Sequence, residues 1–211
     1  LEIGGGHGRL SEICIAAGFS DWLMFEPNPG ENINPLVKIK RAFFSEEAKP
    51  DRKFDYLVHS HFFEHLLDPI PFLKIAHKVL NDDSRMVFSI PNMEVHRRRG
   101  DLSLLTFEHT YFLDIYYLRI LLESNGFSIV SSDNFGSGHS LFVSAKKLVS
   151  NQKTAVSDLG TISYGVGLEN EIDIRRTKAG NINKSAMKFS KMKMPIICFG
   201  AHAYSQFLFR F

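Results

Sequence analysis

LEIGGGHGRL, residues 1–10, decides the fold. Leu1 to Ile3 has the pattern of a buried strand end, and Gly4 to Gly8 form a loop. Arg9 to Ala17 then places Leu10, Ile13, Cys14 and Ala17 on one helical face, with Gly18 as terminator. Strand, glycine loop and helix in that order open a doubly wound α/β sheet. Glycines at alternate positions 4, 6 and 8 let a ligand press against the main chain where the strand ends. A dinucleotide fingerprint, GxGxxG counted from Gly4, needs a third glycine where Arg9 stands, so the spacing weakens a pyrophosphate role. Trp22 to Phe25 reads as a second strand. It ends at Glu26, about twenty residues beyond the loop, where a carboxylate accepts the two hydroxyls of a ribose.

The rest of the chain extends this pattern. Pro27, Asn28, Pro29 and Gly30 form a turn, and a third strand is predicted near Val37 to Phe44. Phe54 to Ser60 reads as a fourth strand. Pro69 to Leu80 reads as a helix with Ile70, Leu73, Ala76, Val79 and Leu80 on its inner face, and Arg85 to Ile90 as a fifth strand. Asp114 is positioned to cap a helix carrying Ile115, Leu118, Leu121 and Leu122, which Asn125 and Gly126 end. Phe127 to Ser132 and Ser140 to Ala145 follow with no helix between them, so they should pair as an antiparallel hairpin at the sheet edge. The predicted fold is therefore a mostly parallel, Rossmann-like α/β sheet with a terminal antiparallel hairpin.

Three segments are expected: a domain over residues 1–149, a lysine-rich linker over 150–194, and the start of a second α/β unit over 195–211. The chain opens inside a strand and stops inside an apolar run, which reads as a fragment. With 25 basic against 23 acidic residues the net charge is only +2, so nucleic acid and anionic membrane are not expected partners. Cys14 and Cys198 lie far apart without CxxC spacing, which speaks for a reducing, cytoplasmic setting and against a structural zinc site. No membrane-length apolar run is present.

On these motifs the sequence resembles the class I S-adenosylmethionine-dependent methyltransferases over about residues 1 to 147. LEIGGGHG looks like the family's first motif and FEP like its ribose-binding acid. FDYLVHSHFFEHLLDPIPFLKIAHKVL is similar to its fourth strand, cofactor loop and following helix, and MVFSIPN to its fifth strand. The resemblance implies S-adenosylmethionine as cofactor. Glu2, Gly4, Gly6 and Gly8 would lie on the methionine and sugar side, Glu26 and Pro27 at the ribose, Phe44 and Ser45 beside adenine, and His59, Ser60, His61 and Phe62 near the sulfonium. It also implies a small-molecule acceptor.

Methyl transfer needs an aligned acceptor and, for most acceptors, a base. TFEHTYF, just before the last core helix, resembles the HEHLSYF stretch of sugar C-methyltransferases. It supplies His109 as the preferred base, with Glu108 and Tyr111 as companions. Phe107 replaces the first histidine of that pattern. His109 bonding a loop carbonyl, and Tyr111 packed at a loop edge, remain open alternatives. His96, Arg97, Arg98 and Arg99, just after the fifth strand, suit either an anionic acceptor such as a nucleotide diphosphate, as in a nucleotide-linked sugar, or a solvated loop. ICFGAHAYSQFL is similar to the entry of the C-terminal domain of those sugar enzymes. The expected function is methyl transfer to a sugar or polysaccharide-biosynthesis intermediate. O- or N-methylation of another metabolite, a noncatalytic cofactor-binding module and a dehydrogenase are the rivals.

HSHFFEH, residues 59–65, suggests a metal at first sight. On an extended strand His59 and His61 share a face while Glu64 and His65 are carried toward the next helix, so no metal is expected there.

Overall fold

The computed structural model describes residues 1–99 and 108–149, with scattered helical positions between 176 and 191. The expected linker over 150–194, apart from those positions, and the expected unit over 195–211 lie outside the described residues. The chain divides into two compact units, residues 1–93 with 108–157, and residues 94–107 with 158–211.

The first unit holds a seven-stranded sheet. Its strands are β1 (Glu2–Ile3), β2 (Leu23–Phe25), β3 (Lys38–Lys40), β4 (Phe54–Ser60), β5 (Leu80–Pro91), β6 (Phe127–Phe135) and β7 (Ser140–Lys147). They lie in the order β3-β2-β1-β4-β5-β7-β6. The first five pair in parallel, and β7 runs antiparallel to both β5 and β6, which is the predicted edge hairpin. Strand order reverses between β1 and β4, so the loops leaving these two strands open a crevice at the carboxyl ends of the sheet.

Helices α1 (Arg9–Ala16), α2 (Pro69–Val79) and α4 (Ile115–Glu123) follow the predicted spans within a residue or two, as does α4's cap: Asp114 accepts from the backbone N–H of Tyr116 and Tyr117. The core gathers Phe72, Leu73, Ala76 and Val79 of α2 and Leu118 and Leu122 of α4 against Leu57, Met86, Phe88, Val143 and Ala145 of the sheet. Each large side chain buried there contributes about 1.5–3 kcal/mol.

Three local expectations are corrected. In α1, Ile13 is 56% exposed, and Ser11 is buried instead because its hydroxyl donates to the Gly8 carbonyl at 2.8 Å; the helix is turned so that Cys14 and Ile15 meet the small Trp22, Met24 and Val37 cluster. The connections from β2 to β3 and from β3 to β4 carry no helix, so strand–helix alternation lapses there. His96 to Arg99, expected in a loop, belong instead to a helix, α3 (Met93–Arg99), in which Arg98 pairs with Glu94 one turn away. A 3-10 turn, Phe63–His65, was not anticipated and turns out to organise the site. No helix among the described residues is long and apolar enough to cross a membrane.

Candidate active site

The glycine loop leaves β1 with Gly4, Gly6 and Gly8 at φ +69°, +54° and +75°, left-handed angles that favour glycine. A Cβ on Gly6 would meet nothing within 4 Å, so open space lies beside the loop, whereas one on Gly4 would touch the Phe62 ring at 3.0 Å. Gly5 is constrained from below: a Cβ there would come within 2.5–2.9 Å of Met24 and the Glu2 carboxyl carbon. Glu2 is buried beneath the loop and accepts from Trp22 Nε1 at 2.7 Å. Burial raises its carboxyl above the ordinary value, opposed by that hydrogen bond.

The end of β2 fastens the loop. Glu26 accepts from the Gly6 N–H at 3.0 Å and from the Asn28 N–H at 2.9 Å, and Gly30 N–H donates to the Gly6 carbonyl at 3.0 Å. Pro27 is half-buried beside it. His7 lies over Gly30, where a Cβ would come within 2.2 Å of its Nδ1. Each Glu26 oxygen therefore has one backbone donor and keeps acceptor capacity for a further partner. The loop, the open space at Gly6 and the acid at the end of β2 form a cradle that fits the ribose and amino-acid portion of S-adenosylmethionine.

Residues 59–65 separate by face. His59 points into the core, stacked on Phe88 at 4.7 Å and flanked by Phe62, Phe63 and Phe72, with neither ring nitrogen hydrogen-bonded. Burial lowers its pKa to about 3, so it is neutral. His61 does not share that face. Its φ of +48° turns the chain, and its ring bonds Glu64 Oε1 through Nδ1 at 3.0 Å and Ser140 Oγ through Nε2 at 2.9 Å. Ser140 Oγ also lies 2.9 Å from His139 Nδ1. Ser60 pairs with Ser89 at 2.8 Å across β4 and β5. Phe44 is packed edge-on against Phe25 and Phe72, and Ser45 bonds Glu47 and the Ala48 N–H.

The second cluster forms where residues 108–112 lie on the 3-10 turn. The Glu64 carbonyl accepts from the Thr110 N–H at 2.8 Å and the Tyr111 N–H at 3.3 Å, and the Thr110 hydroxyl is directed at the carbonyls of Glu64 and Leu66. His65 Nδ1 bonds the Glu108 carbonyl at 3.0 Å, and its ring meets that of His109 edge-on at 4.9 Å. Glu108 is itself exposed. Tyr111 donates its hydroxyl to the Leu67 carbonyl at 3.2 Å. His109, Tyr111 and Glu64 line a shallow, open recess together with Phe63, Ile90, Pro91, Met93, Phe112 and Leu113. Sequence reasoning gave no role to Gly5, Trp22, Gly30 and Ser140, of which only the triple glycine carried a signal, whereas Glu64 was marked by the HSHFFEH stretch.

Residues 1–132 match a family model described as a methyltransferase domain. No curated protein matches the chain. Among solved structures, an S-adenosylmethionine-dependent methyltransferase from Mesorhizobium loti aligns with TM-score 0.56 and 15% identity over 69% of this chain and 89% of its own. A possible histamine N-methyltransferase from Thermotoga maritima aligns with TM-score 0.54 and 19% identity, over 69% and 80%. The Burkholderia thailandensis 1,6-didemethyltoxoflavin-N1-methyltransferase, solved with its substrate and S-adenosylhomocysteine, gives 0.56 and 18%, over 70% and 69%. With its family model covering well over half of the chain, and with a sheet order and glycine loop in keeping, this chain belongs to the methyltransferase domain family.

Proposed function

We propose that the chain transfers a methyl group from S-adenosylmethionine to a small-molecule acceptor, and that the acceptor is a sugar or polysaccharide-biosynthesis intermediate such as a nucleotide-linked sugar. When bound, the cofactor supplies an electrophilic methyl group on a sulfonium. The chain's own residues bind, align and exclude water. Gly6 lets the backbone approach the ligand, Gly4 and Gly8 shape the loop against Phe62 and Ile33, Glu2 supports the loop from below, and Glu26 takes the ribose hydroxyls. His61 and Phe62 stand at the exit of β4, nearest the reacting end. His109 takes the acceptor's proton as methyl transfer proceeds, with Tyr111 and Glu108 holding its loop.

One observation carries the reading: the recess lined by Glu64, His109 and Tyr111 lies beside the carboxyl ends of β4 and β5, within the same unit as the glycine loop. The small-molecule methyltransferases among the structural relatives support a small-molecule acceptor. The sugar assignment is supported by the TFEHTYF stretch. Calorimetric titration with S-adenosylhomocysteine tests the cofactor, and absence of binding by folded protein overturns the enzyme reading. Transfer of labelled methyl to a panel of nucleotide sugars, against phenolic and amine acceptors, tests the substrate class.

A further inference from the structure

Glu64, His65 and His109 each bring one ligand-type atom within 4.8 Å of the other two. The three come from two segments 43 residues apart that the Glu64 and Glu108 carbonyls lace together. Glu64 is 3% exposed, and its two oxygens differ. Oε1 is engaged by His61, while Oε2 is buried with no hydrogen-bond partner. An unsatisfied buried carboxylate oxygen costs about 1–3 kcal/mol or more, so its retention beside two imidazoles points to a ligand.

His65 is set up for the same role. Its Nδ1 faces a carbonyl oxygen, which only accepts, so Nδ1 carries the proton and Nε2 is left with its lone pair. A histidine whose far nitrogen donates to a backbone carbonyl, and a carboxylate whose far oxygen is held by another side chain, are the outer supports that orient metal ligands. Ligand atoms about 2.0–2.2 Å from one tetrahedral ion lie about 3.3–3.6 Å apart, so the three side chains would draw together on binding it.

We infer that Glu64, His65 and His109 form a site for one divalent transition-metal ion of the zinc or cobalt class, with coordination positions left open toward the recess. Two imidazoles and one carboxylate suit such ions better than magnesium or calcium, which prefer oxygen donors. The inference rests on the proposed function and revises one role in it: with the ion bound, His109 would serve as a ligand and not as the base, and an acceptor hydroxyl coordinated at an open position would lose its proton to solvent. It also revises the expectation for residues 59–65. The convergent ligands are the last two of that stretch together with His109, and His59 is not among them.

The test is titration of chelator-stripped protein with Co²⁺, read by equilibrium dialysis with metal analysis and by visible ligand-field absorption. One equivalent is expected, displaceable by Zn²⁺. His65→Ala and His109→Ala, both outside the packed core, should each weaken binding at least ~10-fold and lose the absorption band. S-adenosylhomocysteine binding by the same variants reports that they are folded. Wild-type protein without stoichiometric Co²⁺, or folded variants that bind Co²⁺ as the wild type does, overturns the metal site. Stoichiometric Co²⁺ in protein that never binds S-adenosylhomocysteine leaves the site standing and overturns the methyltransferase reading.

Discussion

Trp22 Nε1 donates to Glu2 Oε2 at 2.7 Å, joining the start of β1 to the residue just before β2 beneath the glycine loop. Glu2 is 1% exposed and Trp22 7%, so neither has water as a substitute partner. Trp22→Phe removes the donor and leaves a buried carboxylate oxygen unsatisfied, which should cost about 1–3 kcal/mol in denaturant melts at neutral pH. The loss depends on pH in a defined direction. Burial already raises Glu2 above 4.5, so folding takes up a proton there, and the group's contribution falls as pH rises from 4.5 through the raised value. Without the indole N–H the shift grows. The variant's deficit should therefore be smallest in acid, and an equal deficit at all pH values would show that lost packing, not the hydrogen bond, is responsible.

Gly5 and Gly6 are neighbours with opposite constraints. A methyl on Gly5 collides with Met24 and Glu2 below the loop, whereas a methyl on Gly6 enters open space on the side where a ligand would lie. Gly5→Ala should lower stability by about 1–3 kcal/mol, because the buried Met24 and Glu2 side chains must shift to admit the methyl. Gly6→Ala should cost only about 1–2 kcal/mol for its left-handed φ while abolishing S-adenosylhomocysteine binding by calorimetry. Equal cofactor affinity in Gly6→Ala and wild type would remove the loop from the cofactor site.

The contrast shows what the sequence could convey. Periodicity and turn chemistry specify α2, α4 and the edge hairpin, because helix faces and glycine turns are local properties of the chain. The glycine loop and Glu26 were equally legible, being fixed by spacing from strand ends. Partners formed at long range were not. Trp22 reaches Glu2 across 20 positions and Ser140 reaches His61 across 79, and nothing local in either residue marks it for that role. Ideal alternation puts His59 and His61 on one face, and one left-handed residue, His61 at φ +48°, cancels that alternation. The orientation of α1 failed for a related reason: Ser11 bonds its own loop carbonyl, and this local bond outweighed the apolar stripe.

His59 makes acid sensitivity a property of the core. Its ring is fully enclosed by phenylalanines with both nitrogens unpartnered, and its pKa falls from 6.5 to about 3. The unfolded chain takes a proton near pH 6.5 while the folded chain refuses it, so the stability this group contributes is complete above pH 6.5 and is lost progressively toward pH 3. Replacement by phenylalanine removes the titration and the two unsatisfied atoms together. The stability of His59→Phe should fall less steeply with acid than that of the wild type, measured by urea midpoints across that window. A parallel fall in both proteins would assign the acid sensitivity to other groups.

His109 gives the prediction closest to chemistry. It lines the recess with Glu64 and Tyr111, and its loop is pinned to the 3-10 turn by Thr110 and by His65. A group that acts on the acceptor in the transition state should alter turnover and leave cofactor affinity unchanged. His109→Gln, which keeps a polar side chain of similar reach, should lower kcat by about 10²–10⁴-fold while S-adenosylhomocysteine binds as in the wild type. Thr110→Val offers the positioning counterpart. It removes the hydroxyl aimed at the Glu64 and Leu66 carbonyls but retains the backbone bond, so it should lower kcat by a smaller factor without changing the pH profile. Unaltered turnover in His109→Gln would take acceptor activation away from this residue and leave His61, held between Glu64 and Ser140, as the histidine to replace next.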